Sequence, residues 1–340
     1  MTSFERVLGA LAGTPQPRPP FTLTLSLFGA RLTGCPLQEY YRRPDRYAEG
    51  QAAVVDLCGP DILFAPFALS LEAEAFGSDL IFLPDYPPNV RKPSVRSADG
   101  FIALPLPDVD SHPSLAYLRE SVRLLAAEHA GRIPVCAIVT ASVDLPAMVM
   151  GIDQWLETLL SDPDLASRTL EHAERHFVAL ANALLDDGAS FIALPIMFSN
   201  PQVLFPRMIT EVILPALARS FSQVRGPIVF HHGGNPMLPL LREYLGLPNV
   251  AGYAVDHRDS LGDARRLLGS DRLLLGNLSG PTLSRMPIDS ALETVDRILE
   301  DCRDDRRFIF ATSGADIPIS TPPELLRAVA GRIASFPGSP

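Results

Sequence analysis

Eight short apolar runs, each set off from the next by a longer amphipathic stretch, constrain the fold of this chain more than any other feature. They run from Thr22 to Phe28, Ile62 to Ala65, Ile133 to Val139, Phe191 to Ile196, Ile228 to His231, Val250 to Val255, Arg272 to Leu275 and Arg307 to Ala311. Each is too short for a buried helix and is rich in β-formers or bounded by Gly and Pro. The intervening stretches carry helix punctuation. One opens at Asp162-Pro163 and closes on Gly188, one runs from Pro206 to Gly226, and one from Pro236 to Gly246. Others span Ser260 to Leu268, Ile288 to Cys302 and Pro322 to Ile333. Alternating strand and helix imply parallel strands joined by right-handed crossovers, and eight such units close into a barrel around a continuous core. The expected fold is therefore α/β, a single (β/α)8 TIM barrel filling residues 1–340. Residues 79–112 break the rhythm with seven prolines, from Pro84 to Pro113 at its border, and read as an inserted hairpin or lid.

Composition narrows the function. Lys and Arg number 29 against 39 Asp and Glu, a net charge of −10, and no basic run interleaved with aromatics offsets it. Such a chain repels phosphate backbones, so nucleic acid is excluded as a partner. No stretch approaches the roughly 20 apolar residues of a membrane span. The four cysteines, Cys35, Cys58, Cys136 and Cys302, form no CxxC pair, which leaves neither a disulfide framework nor a thiolate zinc knuckle and points to a reducing cytoplasm.

In a parallel barrel the loops after the strands converge on one mouth, and the chemistry sits there. After the fifth run comes His231-His232-Gly233-Gly234-Asn235, an exposed imidazole beside backbone that a ligand can approach closely, or else a structural histidine and a Gly-rich turn. Asp256 and His257 end the sixth. Three imidazoles and a carboxylate suit a first-row metal or acid–base work, although neighbouring residues on a strand face opposite ways, which separates His231 from His232 unless the strand ends between them. Asp61 opens the second strand, as a turn residue or a buried functional group. Asp144 ends the third; Glu72 and Glu74 read as a solvated first helical turn, and Trp155, Met148 and Met150 as packing.

Four segments, Gly59 to Gly77, Phe230 to Asn235, Tyr253 to Leu283 and Phe308 to Ala330, together make the chain resemble the uroporphyrinogen decarboxylase superfamily. Within it the chain is most similar to the branch of corrinoid-dependent methyltransferases that pass the methyl group of methylcobamide to a thiol such as coenzyme M. The decarboxylases hold their substrate's carboxylates with an RQAGR loop after the first strand and use a late GHG histidine; here Arg31 stands alone in LFGARLTG and Ala315 takes the histidine's place, so only Asp61 matches that branch. The methyltransferases bind zinc through an HxC motif and a late cysteine. His231 matches the histidine and Asp256 the acid, but Gly233 and Ala315 replace both cysteines, leaving a zinc site weak or absent unless His232, His257 or Asp316 substitutes.

The resemblance thus implies a methyltransferase-like enzyme moving a one-carbon unit between a corrinoid, brought by a carrier protein, and a small acceptor, with a homodimer among its assemblies. It assigns catalysis to Asp61, His231, Asp256 and Asp316 and substrate binding to Arg31, Asp144, Asn200, His232 and Asn277, with His231 and Asp256 left for a metal. A carboxy-lyase in which Arg31 or Arg258 holds an acid, and a non-catalytic tetrapyrrole-binding protein, are the alternatives.

Overall fold

In the computed structural model, which describes residues 1–338, eight parallel strands form one sheet. They are β1 (Phe21–Thr22), β2 (Leu63–Phe64), β3 (Val135–Ile138), β4 (Phe191–Pro195), β5 (Ile228–His231), β6 (Val250–Ala254), β7 (Leu273–Ser279) and β8 (Phe308–Ser313). Their order is β1-β8-β7-β6-β5-β4-β3-β2, so the two ends of the sheet are the first two strands. Those ends meet: the Asp61 N–H donates to Phe21 O at 2.8 Å, and Thr22 Oγ1 donates to Ile62 O at 3.0 Å. The sheet curls into a nearly closed (β/α)8 barrel with helices outside.

Alternation along each strand divides two cores. Ile192 and Leu194, Ile228 and Phe230, and Phe308 and Phe310 face outward into the layer packed by the helices. Cys136 and Ile138, Ala193, Val229, Leu273 and Leu275, and Ile309 and Ala311 face inward and form a separate cluster. The N-terminal helix, Ser3–Ala12, plugs the barrel where the strands begin. Thr2 and Glu5 cap it reciprocally, and Ala10 and Val7 join the inward cluster.

The apolar runs locate the strands but not their ends. The first strand is shorter than expected, because Thr24 N–H donates to the Thr312 hydroxyl at 2.8 Å instead of continuing the ladder, and Phe28–Thr33, expected as a loop, is a helix. The seventh and eighth are longer, taking in Gly276, Asn277, Thr312 and Ser313. The break in the rhythm contains a hairpin, Asp79–Ile81 against Asn89–Lys92, and a helix, Ala98–Ala103. Glu72 is buried, not solvated: Thr140 N–H donates to it at 2.6 Å and His176 Nε2 lies 3.2 Å away, tying the helix Pro163–Asp186 to the loop after β3. Glu74 remains part-exposed, paired with Arg42 and Ser114. Among the described residues no helix is long and apolar enough to cross a membrane.

Candidate active site at the barrel mouth

Small inward side chains leave a cavity where most barrels are filled. Its volume is about 60 Å³, and it opens to solvent at the mouth. Ile62, Ile138, Ala193, Val229 and Ala311 form the apolar floor and walls, and the polar groups gather at the strand ends. Thr22, Thr24, Thr312 and Ser313 are four of these, but their hydroxyls are engaged. Thr22 donates to Ile62 O, Thr24 and Thr312 bond each other at 3.0 Å, and Ser313 accepts from His257 N–H at 3.1 Å. Among the described residues no Lys or Arg lines the cavity.

His231 is the last residue of β5 and shares the inward parity of Val229. Its Nδ1 accepts the Gly233 N–H at 3.2 Å, so the neutral ring carries its proton on Nε2, which bonds to no described protein group. Burial pushes its pKa down to about 4, which keeps the imidazole neutral at physiological pH. His232 follows after the strand has ended, and its ring packs edge-on to Tyr244, at 5.1 Å between centroids, and to Phe230 in the outer layer. Its Nδ1 lies 3.0 Å from Pro236 O, so it donates there and anchors the Gly-rich loop; burial lowers its pKa to about 4 as well. The strand ends between the two histidines, the case in which parity does not separate them, and both residues line the cavity.

Asp256, just past β6, lines the same cavity with its side chain nearly fully buried. One oxygen, Oδ1, accepts from the Arg258 N–H at 3.1 Å and from Arg258 Nε at 2.6 Å, with His257 Nδ1 at 3.4 Å. The other, Oδ2, is buried with no partner among the described residues. Arg258 also reaches Gly234 O at 2.7 Å, lashing the loops after β5 and β6 together. Asp259, which no motif singled out, does similar work. Its carboxylate accepts from the N–H groups of Met237 at 2.9 Å and Asp256 at 3.1 Å, while Asn277 donates to the carbonyls of Asp256 and Asp259. The only sequence sign of Asp259 is its place just before the helix-capping Ser260.

The structure therefore brings His231, His232, Asp256 and Asn277 together, and keeps the other expected site residues apart. Asp61 sits at the opposite end of the barrel, fully buried between Arg6 and Arg18, where it accepts Arg18 Nη1 at 2.6 Å and the Phe21 N–H at 2.9 Å. A carboxylate at a strand start lies at the closed end by the geometry of parallel strands. Arg31 spends its guanidinium on the carbonyls of Ile319 and Thr321, at 2.5 and 2.6 Å. Asp144 accepts the N–H groups of Met197, Phe198 and Ser199, holding the loop after β4; burial pushes its pKa up to about 6. Asn200 caps its own turn, donating to Ile196 O and Met197 O. Asp316 accepts from Leu27 N–H at 3.3 Å beneath the loop after β1, outside the cavity lining. Its second oxygen is unpartnered, and burial raises its pKa to about 7.

The residues at the resembling zinc positions do not fit zinc. Structural zinc takes four protein ligands and catalytic zinc three, and the unpartnered groups at the mouth are His231 Nε2, His232 Nε2 and Asp256 Oδ2. Among the described residues no group of three or more His, Cys, Asp and Glu is arranged to hold an ion. Gly233 also has φ +57°, where a side chain is strained, and a Cβ there meets Met197 Cγ at 3.2 Å.

Comparison with known proteins agrees with this geometry. The model of the family described as uroporphyrinogen decarboxylase (URO-D) matches residues 2–336. Methylcobamide:CoM methyltransferase MtaA of Methanosarcina barkeri is 23% identical over 295 residues, covering 84% of this chain and 85% of that protein. A uroporphyrinogen decarboxylase of Trichlorobacter lovleyi is 26% identical over 336 residues, covering 94% and 95%. The solved structure of a methyltransferase from Methanosarcina mazei superposes with a TM-score of 0.88 at 21% identity over 99% of both chains, a likeness of fold. Both activities thus occur among the relatives, and the match to the family model runs nearly end to end: the chain belongs to the uroporphyrinogen decarboxylase family.

Proposed function

We propose that the protein transfers a methyl group between a corrinoid presented by a separate carrier protein and a small acceptor seated in the barrel. The observation that carries this reading is the cavity: mostly apolar, without a lining cation, and bearing His231 and Asp256 at its mouth. A porphyrinogen with many carboxylates finds no guanidinium there, and burying unpaired anions costs several kcal/mol each. Arg31 and Arg258 are both committed to protein acceptors, which argues equally against a smaller acid held by either.

The corrinoid, when bound, supplies an electrophilic methyl group. The chain's part is to seat an acceptor X–H with X toward the mouth. Asp256 Oδ2 takes the proton of X–H as its general base, and His231 Nε2–H donates a hydrogen bond to X as negative charge develops on it. X gives its lone pair to the methyl carbon, whose bond to the donor breaks with the electron pair left on the donor. The cavity is too small for a corrin ring to enter beside an acceptor, so the ring approaches the rim. A groove of about 890 Å³ runs there between Arg31, the hairpin turn at Tyr86 and the Pro318–Ser320 loop, and supports the approach of a bulky partner.

Mixing methylcob(III)alamin with the protein and phenylmethanethiol tests the reading. The absorbance change of demethylation is expected with wild type, slowed on the order of 10²-fold or more in Asp256→Asn. No demethylation with any thiol or hydroxyl acceptor, alongside decarboxylation of uroporphyrinogen, overturns it.

A further inference from the structure

The proposed methyl transfer leaves the acceptor unnamed, and the cavity describes it. Among the lining side chains, His231 Nε2, fixed as a donor because Nδ1 accepts from Gly233, and Asp256 Oδ2, an acceptor, form an unpartnered donor–acceptor pair, and His232 Nε2 is a further buried acceptor without a protein partner. A hydroxyl or thiol matches this pair, accepting one hydrogen bond and donating one. An unpaired buried polar atom is costly, so a ligand that satisfies both gains what the empty cavity forgoes.

Charge sets the second requirement. The Asp256 carboxylate is already neutralised by Arg258 through Oδ1 at 2.6 Å, so the mouth carries no spare positive charge. An anion entering beside Oδ2, between apolar walls, has nothing to pair with. The third requirement is shape. Beneath the polar pair lie Cys136, Ala193 and Ala311, small inward residues on three different strands, with Ile62, Ile138 and Val229 around them. Space left by small apolar side chains favours an apolar body.

We infer that the acceptor is an uncharged molecule with an apolar, ring-sized body and one hydroxyl or thiol head, and that Ala193 and Ala311 set the size of body admitted. This rests on the proposed methyl transfer for calling the molecule an acceptor, while the binding it requires is independent of that reaction.

Calorimetry without any corrinoid separates the two. The probes are phenol, 4-ethylphenol and 4-butylphenol, with 4-ethylanisole, which lacks the donor, and 4-ethylbenzoic acid at pH 8, which is an anion. 4-Ethylphenol is expected to bind at least tenfold tighter than either the ether or the benzoate, and tighter than phenol. Ala311→Leu is expected to cost 4-butylphenol more than tenfold while sparing phenol. Equal or tighter binding of the benzoate, no gain from the ethyl group, or no binding of any phenol overturns the inference. If Ala311→Leu does not fold, the ligand series decides alone. Phenol binding without methyl transfer upholds the ligand class and contradicts the reaction.

Discussion

Two adjacent histidines with the same lowered pKa do different work, and hydrogen bonds alone distinguish them. His231 accepts through Nδ1 and leaves a donor facing the cavity; His232 donates through Nδ1, packs edge-on to Tyr244 and leaves Nε2 as an unpartnered acceptor. Sequence parity does not separate them, because the strand ends at His231, and neither tautomer is legible without the partners, Gly233 N–H and Pro236 O. Asp316 is a residue whose burial works against stability. Its carboxyl titrates near 3.8 in the unfolded chain and about 7 when folded, so the folded state binds the proton more tightly and stability is lost as pH rises between those values. Asp316→Asn, which can still accept from Leu27 N–H, is expected to be more stable than wild type at pH 8, by on the order of 4 kcal/mol at most, with the gain gone by pH 4. Urea melts at the two pH values check this, and an equal change at both contradicts it. Gly233 supplies a further prediction. Gly233→Cys restores the family's HxC letters, yet φ +57° and the approach to Met197 predict destabilisation of about 1–3 kcal/mol, with no zinc retained after dialysis. Tight stoichiometric zinc in that variant refutes the geometric argument.

Strands and helices were readable where one face is apolar and obscure where the chain enters the mouth. β7 and β8 continue through Gly276, Asn277, Thr312 and Ser313 because the barrel hydrogen-bonds its strands regardless of side chain, so the apolar run stops before the strand does. β1 fails the other way, its apolar residues remaining buried after the ladder ends. The seam between β1 and β2 is short, and Asp61 reinforces it by accepting the Phe21 N–H while pairing with Arg6 and Arg18. The letters around Asp61 made it a candidate acid; its position at a strand start, the closed end, makes it structural. Asp61→Ala leaves two part-buried guanidinium groups without their partner and is expected to cost about 3–5 kcal/mol. Methyl transfer per folded molecule should persist. Unchanged stability with lost transfer would place Asp61 in the chemistry instead. The Glu72–His176 pair, separated by 104 residues, had no sequence signal, since nothing local marks a carboxylate whose partner lies on a distant helix.

At the scale of the whole molecule, the barrel was legible from the eightfold alternation of apolar runs, and its mouth from the loops that follow them. The internal cavity was not, because it depends on which small inward residues of strands far apart in sequence line one space, as Cys136, Ala193 and Ala311 do. Among the described residues no Lys or Arg lines that cavity, and its apolar walls bear the His231 donor beside the Asp256 and His232 acceptors, which is the physical ground for reading a methyl transferred to a neutral acceptor in preference to decarboxylation of a polyanion. The most direct measurement follows the methyl group itself. With methylcobalamin carrying a ¹³C-labelled methyl and phenylmethanethiol as acceptor, the account predicts labelled benzyl methyl sulfide in the NMR spectrum for wild type and its loss in the double variant His231→Ala, Asp256→Asn. Labelled product formed equally well by the double variant, or none from wild type while uroporphyrinogen is decarboxylated, would contradict it.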